Sequence, residues 1–425
     1  MTGSKITLDG LAGLQSARRG LLRMGMGGAL VAVGARQALA DQGMPETDWD
    51  KGVGGPVAES TYGSPAAGES DMKRREVAWL TRDQTSSISF TPLQYQTGII
   101  TPSGVMFERY HAGRVDVPAD KHRLMIHGMV DRPLIFTMDD IKRLPAESHI
   151  HFIECPANGG MEWRGAQLNS LQFTHGMIGC AEWTGVKLST LLAMTGVQKP
   201  AKWVLVEGAD GSHLTRSIPI EKALDDILLV YGQNGEALRP EQGYPLRLVV
   251  PGWQGNVNVK WIRRIKLGDQ PWFTHEETSK YTELRKDGHA FGFTWAIFAK
   301  SVITFPCPEM PIKSGGGVSE IRGLAWSGNG KITQVDVSFD GGVNYVRAKL
   351  NDPVLTKSLT RFTCEWRWDG KPALIQSRAM DETGYVQPSQ AELREIRGSN
   401  GVYNNNAIQT WDVKADGSVN NVQLA

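Results

Sequence analysis

Short apolar runs, each interrupted by turn-forming residues, recur along the middle of the chain. Their alternation of apolar and polar positions is typical of strands rather than of helices. The predicted strands are residues 123–130, 149–154, 203–207, 246–250 and 257–267. Helical spacing is confined to shorter stretches, residues 137–144, 187–195 and 220–226. The first of these begins with a Thr-x-x-Asp cap. The pattern predicts a mixed α+β domain over residues 91–305.

The pattern changes from residue 306 onward. Residues 331–350 alternate on both sides of an Asp-Gly-Gly turn, which predicts a β-hairpin, and residues 361–368 and 373–380 repeat the alternation. The residues predicted to face inward are Val335, Val337 and Phe339 on the first strand, and Val346, Ala348 and Leu350 on the second. We interpret residues 306–425 as an antiparallel β-sandwich of immunoglobulin type, which by itself would bind or dimerise rather than catalyse.

The first forty residues have features of an export signal. The pair Arg18-Arg19 precedes a short apolar run, and Ala38-Leu39-Ala40 supplies a small-x-small cleavage site. This predicts a twin-arginine signal peptide over residues 1–40 and a periplasmic location; the alternative is an arginine-containing first helix. The apolar run is too short and too rich in glycine to span a membrane. Residues 41–90, rich in Gly, Pro, Ser and acidic residues, are predicted to form an extended arm.

Composition narrows the possible functions. With 425 residues the chain is too long for one ordinary core, so two domains are expected. A net charge of +1 gives no electrostatic footprint for nucleic acid. The sequence contains no CxxCH, so no haem is expected on this chain. A Walker loop and an HExxH helix are also missing from the sequence, which argues against nucleotide and zincin chemistry.

The most informative stretch is residues 151–160, HFIECPANGG. It places Cys155 where a short buried strand gives way to a tight turn, with Pro156 directing the chain that follows. Amides of such a turn can lower the pKa of a thiol, and the thiolate is the form that binds metals. The alternative is a buried structural cysteine. The other cysteines are Cys180, Cys307 and Cys364; a Cys307–Cys364 disulfide is conceivable and stays open.

Several blocks, taken in order, resemble the sulfite oxidase family of molybdenum enzymes over about residues 107–411. Within that family they look most like the molybdenum subunits of bacterial sulfane dehydrogenases, which oxidise sulfur during thiosulfate oxidation. The matching blocks are Arg109-Tyr110-His111, Cys155-Pro156-Ala157-Asn158, residues 181–188, residues 244–252, Val259-Lys260-Trp261, residues 338–342 and residues 384–388.

The resemblance implies a role for each matched position. Cys155 would be the thiolate ligand of a molybdenum-molybdopterin cofactor, since a soft sulfur donor suits that metal. Tyr281 would hydrogen-bond the reacting group, and Arg109 would bind an oxyanion; taken alone, both are ordinary loop residues. The positions expected to hold the pterin and its phosphate are His111, Asp210, Arg247, Asn258, Val259 and Lys260. The less favoured alternative for Asp210 is a plain turn aspartate.

The sequence departs from the family pattern beside the cysteine. Gly159 and Gly160 stand where the family usually has two arginines, and Gln242 replaces a histidine near the phosphate. Losing a guanidinium removes positive charge and bulk, so the pocket is expected to be weaker for free sulfite and roomier. This favours a larger substrate, a sulfane sulfur carried as a persulfide on a partner protein.

The resemblance also implies partners. Electrons would leave through a c-type cytochrome subunit, and the sandwich would pair two molybdenum subunits within a heterotetramer. The runner-up function is a periplasmic sulfite dehydrogenase that oxidises free sulfite. From a different class, a catalytically silent binding protein would use Cys155 only as a structural residue.

Overall fold

A computed structural model describes residues 63, 66–77, 87–313 and 317–424. The predicted signal peptide and most of the predicted arm lie outside these residues. The described helices are α1 Met138–Lys142, α2 Leu171–His175, α3 Leu188–Thr195, α4 Ile220–Asp225, α5 His275–Thr278 and α6 Gln390–Arg397. The described strands are β1 Arg75–Glu76, β2 Ser89–Phe90, β3 Leu124–Gly128, β4 Leu134–Phe136, β5 Glu147–Glu154, β6 Ile178–Lys187, β7 Trp203–Gly208, β8 Thr215–Pro219, β9 Leu228–Gln233, β10 Glu236–Ala237, β11 Arg247–Val249, β12 Ile262–Gly268, β13 Glu283–Leu284, β14 Ala290–Phe291, β15 Lys300–Phe305, β16 Gly317–Trp326, β17 Ile332–Ser338, β18 Val346–Arg347, β19 Lys349–Asn351, β20 Thr360–Trp368, β21 Ala373–Asp381, β22 Thr410–Val413 and β23 Val419–Val422.

Two five-stranded sheets build the first part of the fold. One is antiparallel, in the order β10-β9-β6-β5, with β11 also paired to β9. The other has the order β4-β3-β12-β7-β8, and its only parallel pair among these described strands is β12 with β3. Their apolar faces share one core with α3 and α4, formed by residues such as Ile126, Leu191, Val204, Leu229 and Ile265. This is the mixed α+β architecture that the sequence predicts.

A β-sandwich follows. Its sheets have the orders β15-β16-β20-β19 and β18-β17-β21-β22-β23, and every pair in them is antiparallel. Between them lie Trp326 and Trp411, both fully buried, with Val335 and Ile375. On β20 alternate residues are buried against this core, which is the arrangement expected of packed sheets. The predicted immunoglobulin-like sandwich is confirmed, and its first strand already begins at Lys300.

Most predicted elements are present, with shifted ends. The Thr137 cap on α1 is complete: the Thr137 hydroxyl accepts from the Asp140 amide at 3.1 Å, and the Asp140 carboxylate accepts from the Thr137 amide at 2.9 Å. The strand predicted over residues 257–267 was too long, because β12 begins at Ile262 and the preceding residues form turns. Strand β6 was missed, because Gly179 and Gly185 interrupt its pattern.

The hairpin over residues 331–350 was only partly right. Val335 and Val337 are fully buried, as predicted, whereas Val346 is 48% exposed. After pairing with β17 as β18, the returning chain crosses to the other sheet and pairs with β20 as β19. Ala348 is buried at this crossing. A period-two pattern alone cannot show that a strand changes its partner.

All four cysteines are buried free thiols, so the Cys307–Cys364 disulfide is not formed. Residues from the end of the predicted arm lie on the body: β1 pairs with β2, and Arg74 forms ion pairs with Glu108 and Glu241. No helix among the described residues has the length and apolar character needed to cross a membrane.

Candidate active site

The site is built around the turn that ends strand β5. The Cys155 amide donates to the Met177 carbonyl at 3.0 Å, and the Cys155 carbonyl accepts from the Asn158 amide at 2.9 Å. The Asn158 side chain fastens this turn to strand β6, since its oxygen accepts from the Met177 amide at 3.0 Å. Gly159 then adopts a left-handed backbone, φ +80°, which a side chain would strain. Cys155 is thereby fixed at a buried strand end.

A buried ion pair supports the same turn from the sandwich. Lys300 on β15 donates to the Glu154 carboxylate at 3.2 Å and to the Asn158 carbonyl at 3.0 Å. The other Glu154 oxygen accepts from the Trp326 indole at 2.7 Å, and the Asn158 amide group donates to Glu154 at 2.9 Å. Glu154 and Lys300 are only 3% and 2% exposed. Glu154 and Asn158, which lie on either side of Cys155 in the chain, are therefore held by residues of the sandwich.

All nine residues singled out in the sequence lie around one cavity of about 700 Å³. These are Arg109, His111, Cys155, Asp210, Arg247, Asn258, Val259, Lys260 and Tyr281. They come from six separate segments of the chain, so the fold brings residues that are distant in sequence together around one cavity. Their individual roles stay predictions.

The inner end of the cavity holds two cations, Arg247 and Lys260. Arg247 is 3% exposed and donates only to oxygens of Gln242 and Asn258, while its Nε has no partner among the described residues. Lys260 donates to the carbonyls of Arg109 and Glu241. No carboxylate in the described chain forms an ion pair with either cation. Buried charges are normally paired, so this end suits an anionic group.

Electrostatics at this end agree with an anion site. Burial lowers the pKa of Arg247 to about 9. Burial also lowers the pKa of Lys260, and the nearby Arg247 charge lowers it further. A bound phosphate would relieve both effects, since an opposite charge favours the protonated forms. The residues present therefore suit the phosphate of a pterin cofactor, with the Cys155 thiol available to its metal.

The side chains of Asn258 and Asp210 form hydrogen bonds with backbone groups in the cavity wall. The Asn258 oxygen accepts from the Val250 amide at 2.7 Å, and its amide group donates to the Gln254 carbonyl at 2.9 Å. Asp210 accepts from the Leu214 amide at 3.2 Å and from the Ser212 hydroxyl. The alternative of a turn aspartate thus describes its contacts well. Both residues line the cavity while shaping the loops that carry other groups.

The outer side of the cavity carries Tyr281, His111 and Arg109. The Tyr281 hydroxyl lies 2.7 Å from His111 Nε2. Burial, with the charge of Arg109 next, lowers the pKa of His111 to about 3, so this imidazole is neutral at physiological pH. Burial raises the pKa of Tyr281, which keeps its hydroxyl protonated. Tyr281 thus presents a neutral hydroxyl next to the positively charged Arg109. Together they could bind an anionic or polar reacting group.

The Cys155 thiol does not show the lowered pKa that its turn suggests. Burial raises its pKa, and this outweighs the opposing effects of the Ala157 amide and the Arg109 charge. Ionisation of the thiol therefore calls for a further positive charge at the sulfur, which a bound metal provides.

The space beside the two glycines is filled rather than open. A Cβ atom on Gly160 would lie 2.7 Å from the Val402 carbonyl, and one on Gly159 would lie 3.1 Å from Lys300 Nζ. The expectation of extra room at these positions was therefore wrong. Open space of about 870 Å³ lies instead outside the first cavity, which it meets at Arg109, His111, Cys155 and Tyr281.

Some site residues escaped the sequence analysis. Tyr403 lines the outer space with Ala157, His275 and Lys280. Arg216 lies over the Tyr281 ring, 5.2 Å from its centroid, and pairs with Glu277 at 2.7 Å. Tyr403 and Lys300 lie far along the chain from the cysteine turn, so spacing could not reveal them.

Comparisons with known proteins agree with this site. Residues 111–276 match the model of the oxidoreductase molybdopterin binding domain, and residues 293–411 match the Mo-co oxidoreductase dimerisation domain. Mitochondrial sulfite oxidase from Rattus norvegicus is 29% identical over 328 residues, covering 70% of this chain and 59% of that protein. The human enzyme is 30% identical over 328 residues, with the same coverage. The chain thus spans about three-fifths of the length of these relatives.

Taken with the fold and the cavity, these matches define the class: the chain belongs to the sulfite oxidase family of molybdopterin oxidoreductases. Among solved structures, it is similar to the sulfane dehydrogenase SoxCD from Paracoccus pantotrophus. That match has 52% sequence identity and a TM-score of 0.88, and it covers 90% of this chain and all of the matched chain.

Proposed function

We propose that this protein oxidises sulfane sulfur carried as a persulfide on a partner protein, using a molybdenum-molybdopterin cofactor. The observation that carries the proposal is the 52% identity to a sulfane dehydrogenase along the whole matched chain. The absence of arginines at Gly159 and Gly160 supports it, because a small dianion such as sulfite benefits from several cations.

The cofactor, when bound, supplies the two-electron redox chemistry. Cys155 would hold its metal, while Arg247 and Lys260 would hold its phosphate, with backbone donors from the turn at Gly255–Val257. Arg109 would orient the sulfur group and stabilise negative charge that develops on it. Tyr281, held by His111, would donate a hydrogen bond at the same point. The cavity that these residues share supports this assignment of roles.

The outer space explains how a protein-bound substrate would reach this point. Cys155 is one of its lining residues, and its walls combine the polar His275, Glu276 and Lys280 with Tyr281 and Tyr403. A chain segment that bears a persulfide needs more room than a free inorganic anion. The open space of about 870 Å³ would admit such a segment. The electrons would pass to a c-type cytochrome subunit, and the dimerisation domain would pair two copies within a heterotetramer.

The test is turnover of the purified cofactor-loaded protein with a carrier-bound persulfide and with free sulfite, each with added c-type cytochrome. We expect the higher kcat/KM with the carrier-bound persulfide. The carrier with a reduced thiol is the control and should give no turnover. A higher kcat/KM for free sulfite would replace the proposal with the sulfite dehydrogenase, which the matches to mitochondrial sulfite oxidases favour.

We also propose that the protein works in the periplasm after twin-arginine export. The Arg18-Arg19 pair and the Ala38-Leu39-Ala40 site support this location. The check is the location and the N-terminal residue of the mature protein in bacteria. Wild type should be periplasmic and begin after Ala40, and replacing both arginines by lysine should leave it in the cytoplasm. Export of that variant at the wild-type level would contradict the signal.

A further inference from the structure

We propose that Tyr403, on the segment 401–405 after the sandwich helix α6, is a specificity-determining residue that forms the aromatic wall of the substrate pocket. This inference rests on the proposed function and adds a residue that selects the substrate. It comes from three observations: how the segment is anchored, where the tyrosine ring lies, and why the cysteine turn leaves space for it.

The segment is anchored to three loops of the site through one residue, Asn404. Its amide donates to the Pro156 carbonyl at 2.7 Å, next to Cys155. Its side-chain oxygen accepts from Gln254 at 3.0 Å, and its amide group donates to Glu283, two residues after Tyr281. Asn404 also has a left-handed backbone, φ +55°, which asparagine tolerates better than most residues. These contacts fix the neighbouring Tyr403.

The Tyr403 ring lies on the substrate side of the cavity. Its centroid is 5.1 Å from that of Tyr281, with the planes tilted by 41°. It lines the outer space together with Cys155, Arg109 and Lys280. Burial raises the pKa of Tyr403, so the side chain presents a neutral ring and hydroxyl. The pocket therefore has a cationic wall at Arg109 and an aromatic wall at Tyr403.

The two glycines of the cysteine turn make this arrangement possible. A Cβ on Gly160 would come within 2.7 Å of the Val402 carbonyl, and one on Gly159 within 3.3 Å of the Asn405 carbonyl. Side chains at these positions would therefore displace the segment that carries Tyr403. The missing arginines and the presence of Tyr403 in the pocket are thus one structural change, which exchanges positive charge for an aromatic surface.

This exchange has a chemical consequence. An aromatic ring makes favourable contacts with methylene groups and with divalent sulfur, as a cysteine persulfide supplies. It gives a hydrated dianion only one hydroxyl donor in place of a guanidinium. Tyr403 should therefore favour a sulfane on a protein side chain over free sulfite.

The experiment compares Tyr403→Ala, Tyr403→Phe and the neighbouring control Val402→Ala, whose side chain is 51% exposed. For each cofactor-loaded protein, kcat/KM is measured with carrier-bound persulfide and with free sulfite. Calorimetry gives the Kd of a carrier whose thiol bears an S-methylthio group, a sulfane analogue. Molybdenum content and Tm show whether each variant is folded and loaded.

We expect Tyr403→Ala to lower kcat/KM for the carrier-bound persulfide about tenfold and to weaken analogue binding similarly, with less than about threefold change for free sulfite. Tyr403→Phe, which keeps the ring, should stay within about threefold of wild type, and Val402→Ala should match wild type. Equal changes for both substrates, or none, would overturn the inference.

Failure of the proposed function would be visible separately. If wild type prefers free sulfite, that function is wrong, and the ratio of the two kcat/KM values in Tyr403→Ala still decides the role of Tyr403. If Tyr403→Ala does not fold or load, Tyr403→Trp, which retains an aromatic wall, provides the comparison. The aromatic wall is supported if the ratio of kcat/KM for persulfide to kcat/KM for free sulfite is the same in Tyr403→Trp as in wild type. A ratio that falls about tenfold in Tyr403→Trp would contradict it.

Discussion

The two sides of the cavity differ in how they are built. The inner side, with Arg247 and Lys260, comes from one short stretch that begins with strand β11, and it is held by hydrogen bonds to backbone carbonyls. The outer side, with Arg109, Tyr281 and Tyr403, comes from three loops of both parts of the fold, and it meets open space.

The difference separates two tasks. An invariant cofactor calls for a rigid, charge-matched cradle, and the buried cations of the inner side provide one. A substrate site can change by exchanging loop residues while that cradle stays intact. Cys155 lies between the two sides, and its turn is supported by Glu154 and Lys300 from beneath. Substitutions on each side should therefore have distinct effects.

The largest effect is expected at the residue shared by both sides. Cys155→Ser should lower turnover more than about 100-fold, because a hydroxyl is a much poorer donor to a soft metal than a thiolate. Turnover and molybdenum content are measured together on purified protein. Cys364→Ser, in the sandwich, is the matched control and should keep both. Wild-type turnover in Cys155→Ser would remove the thiolate ligand from the account.

The support beneath the cysteine turn is the next most sensitive feature. Lys300→Met should lower the free energy of unfolding by about 3–5 kcal/mol, because it leaves the Glu154 carboxylate buried without a cation. Adding Glu154→Gln should recover much of this loss, because the buried charge is removed and the amide oxygen can still accept from the Trp326 indole. Denaturant unfolding of wild type and of the two variants checks both statements. Equal stability of the single and double variants would show that the ion pair does not support the turn.

Removing an inner cation should affect the cofactor more than the fold. Arg247→Met should weaken cofactor retention about 10- to 100-fold, since a charged contact to the phosphate is lost. The Tm of the cofactor-free variant should equal or exceed that of the cofactor-free wild type, because the repulsion between the buried charges of Arg247 and Lys260 is removed. Pterin fluorescence after dialysis and thermal unfolding give the two values. Arg263→Met, at an exposed position of β12, is the control. Full cofactor retention in Arg247→Met would contradict the phosphate site.

The smallest effect concerns Glu162, just after the cysteine turn. Burial raises its pKa from 4.5 to about 7, opposed by hydrogen bonds from Asn421 and Gln423. The folded protein therefore binds this proton more tightly than the unfolded chain, so this group makes stability fall as pH rises from about 4.5 to about 7. Glu162→Gln should remove this pH dependence. The difference in the free energy of unfolding between variant and wild type should therefore be about 1–2 kcal/mol more favourable to the variant at pH 8 than at pH 4. Parallel pH–stability curves for the two proteins would contradict this.

The sequence predicted the inner side better than the outer side. Arg247, Asn258 and Lys260 lie within fourteen residues of one another, so their pattern could be recognised in a single stretch. Lys300 contacts Asn158 and Glu154 across 142 and 146 residues, and Asn404, next to Tyr403, contacts Pro156 across a still longer separation. These contacts pass between the sandwich and the first domain. No local pattern encodes such a contact. For the same reason, the filled space beside Gly159 could not be foreseen from the loss of a side chain.

The most direct test of the substrate side is the reductive half-reaction, followed by absorbance in a stopped-flow instrument without any cytochrome. It reports the encounter of substrate with the outer side alone, separate from the exit of electrons. The loaded wild-type protein should be reduced faster, at equal low concentrations, by a carrier-bound persulfide than by free sulfite. Faster reduction by free sulfite would contradict the account that the outer side is built for a protein-bound sulfane.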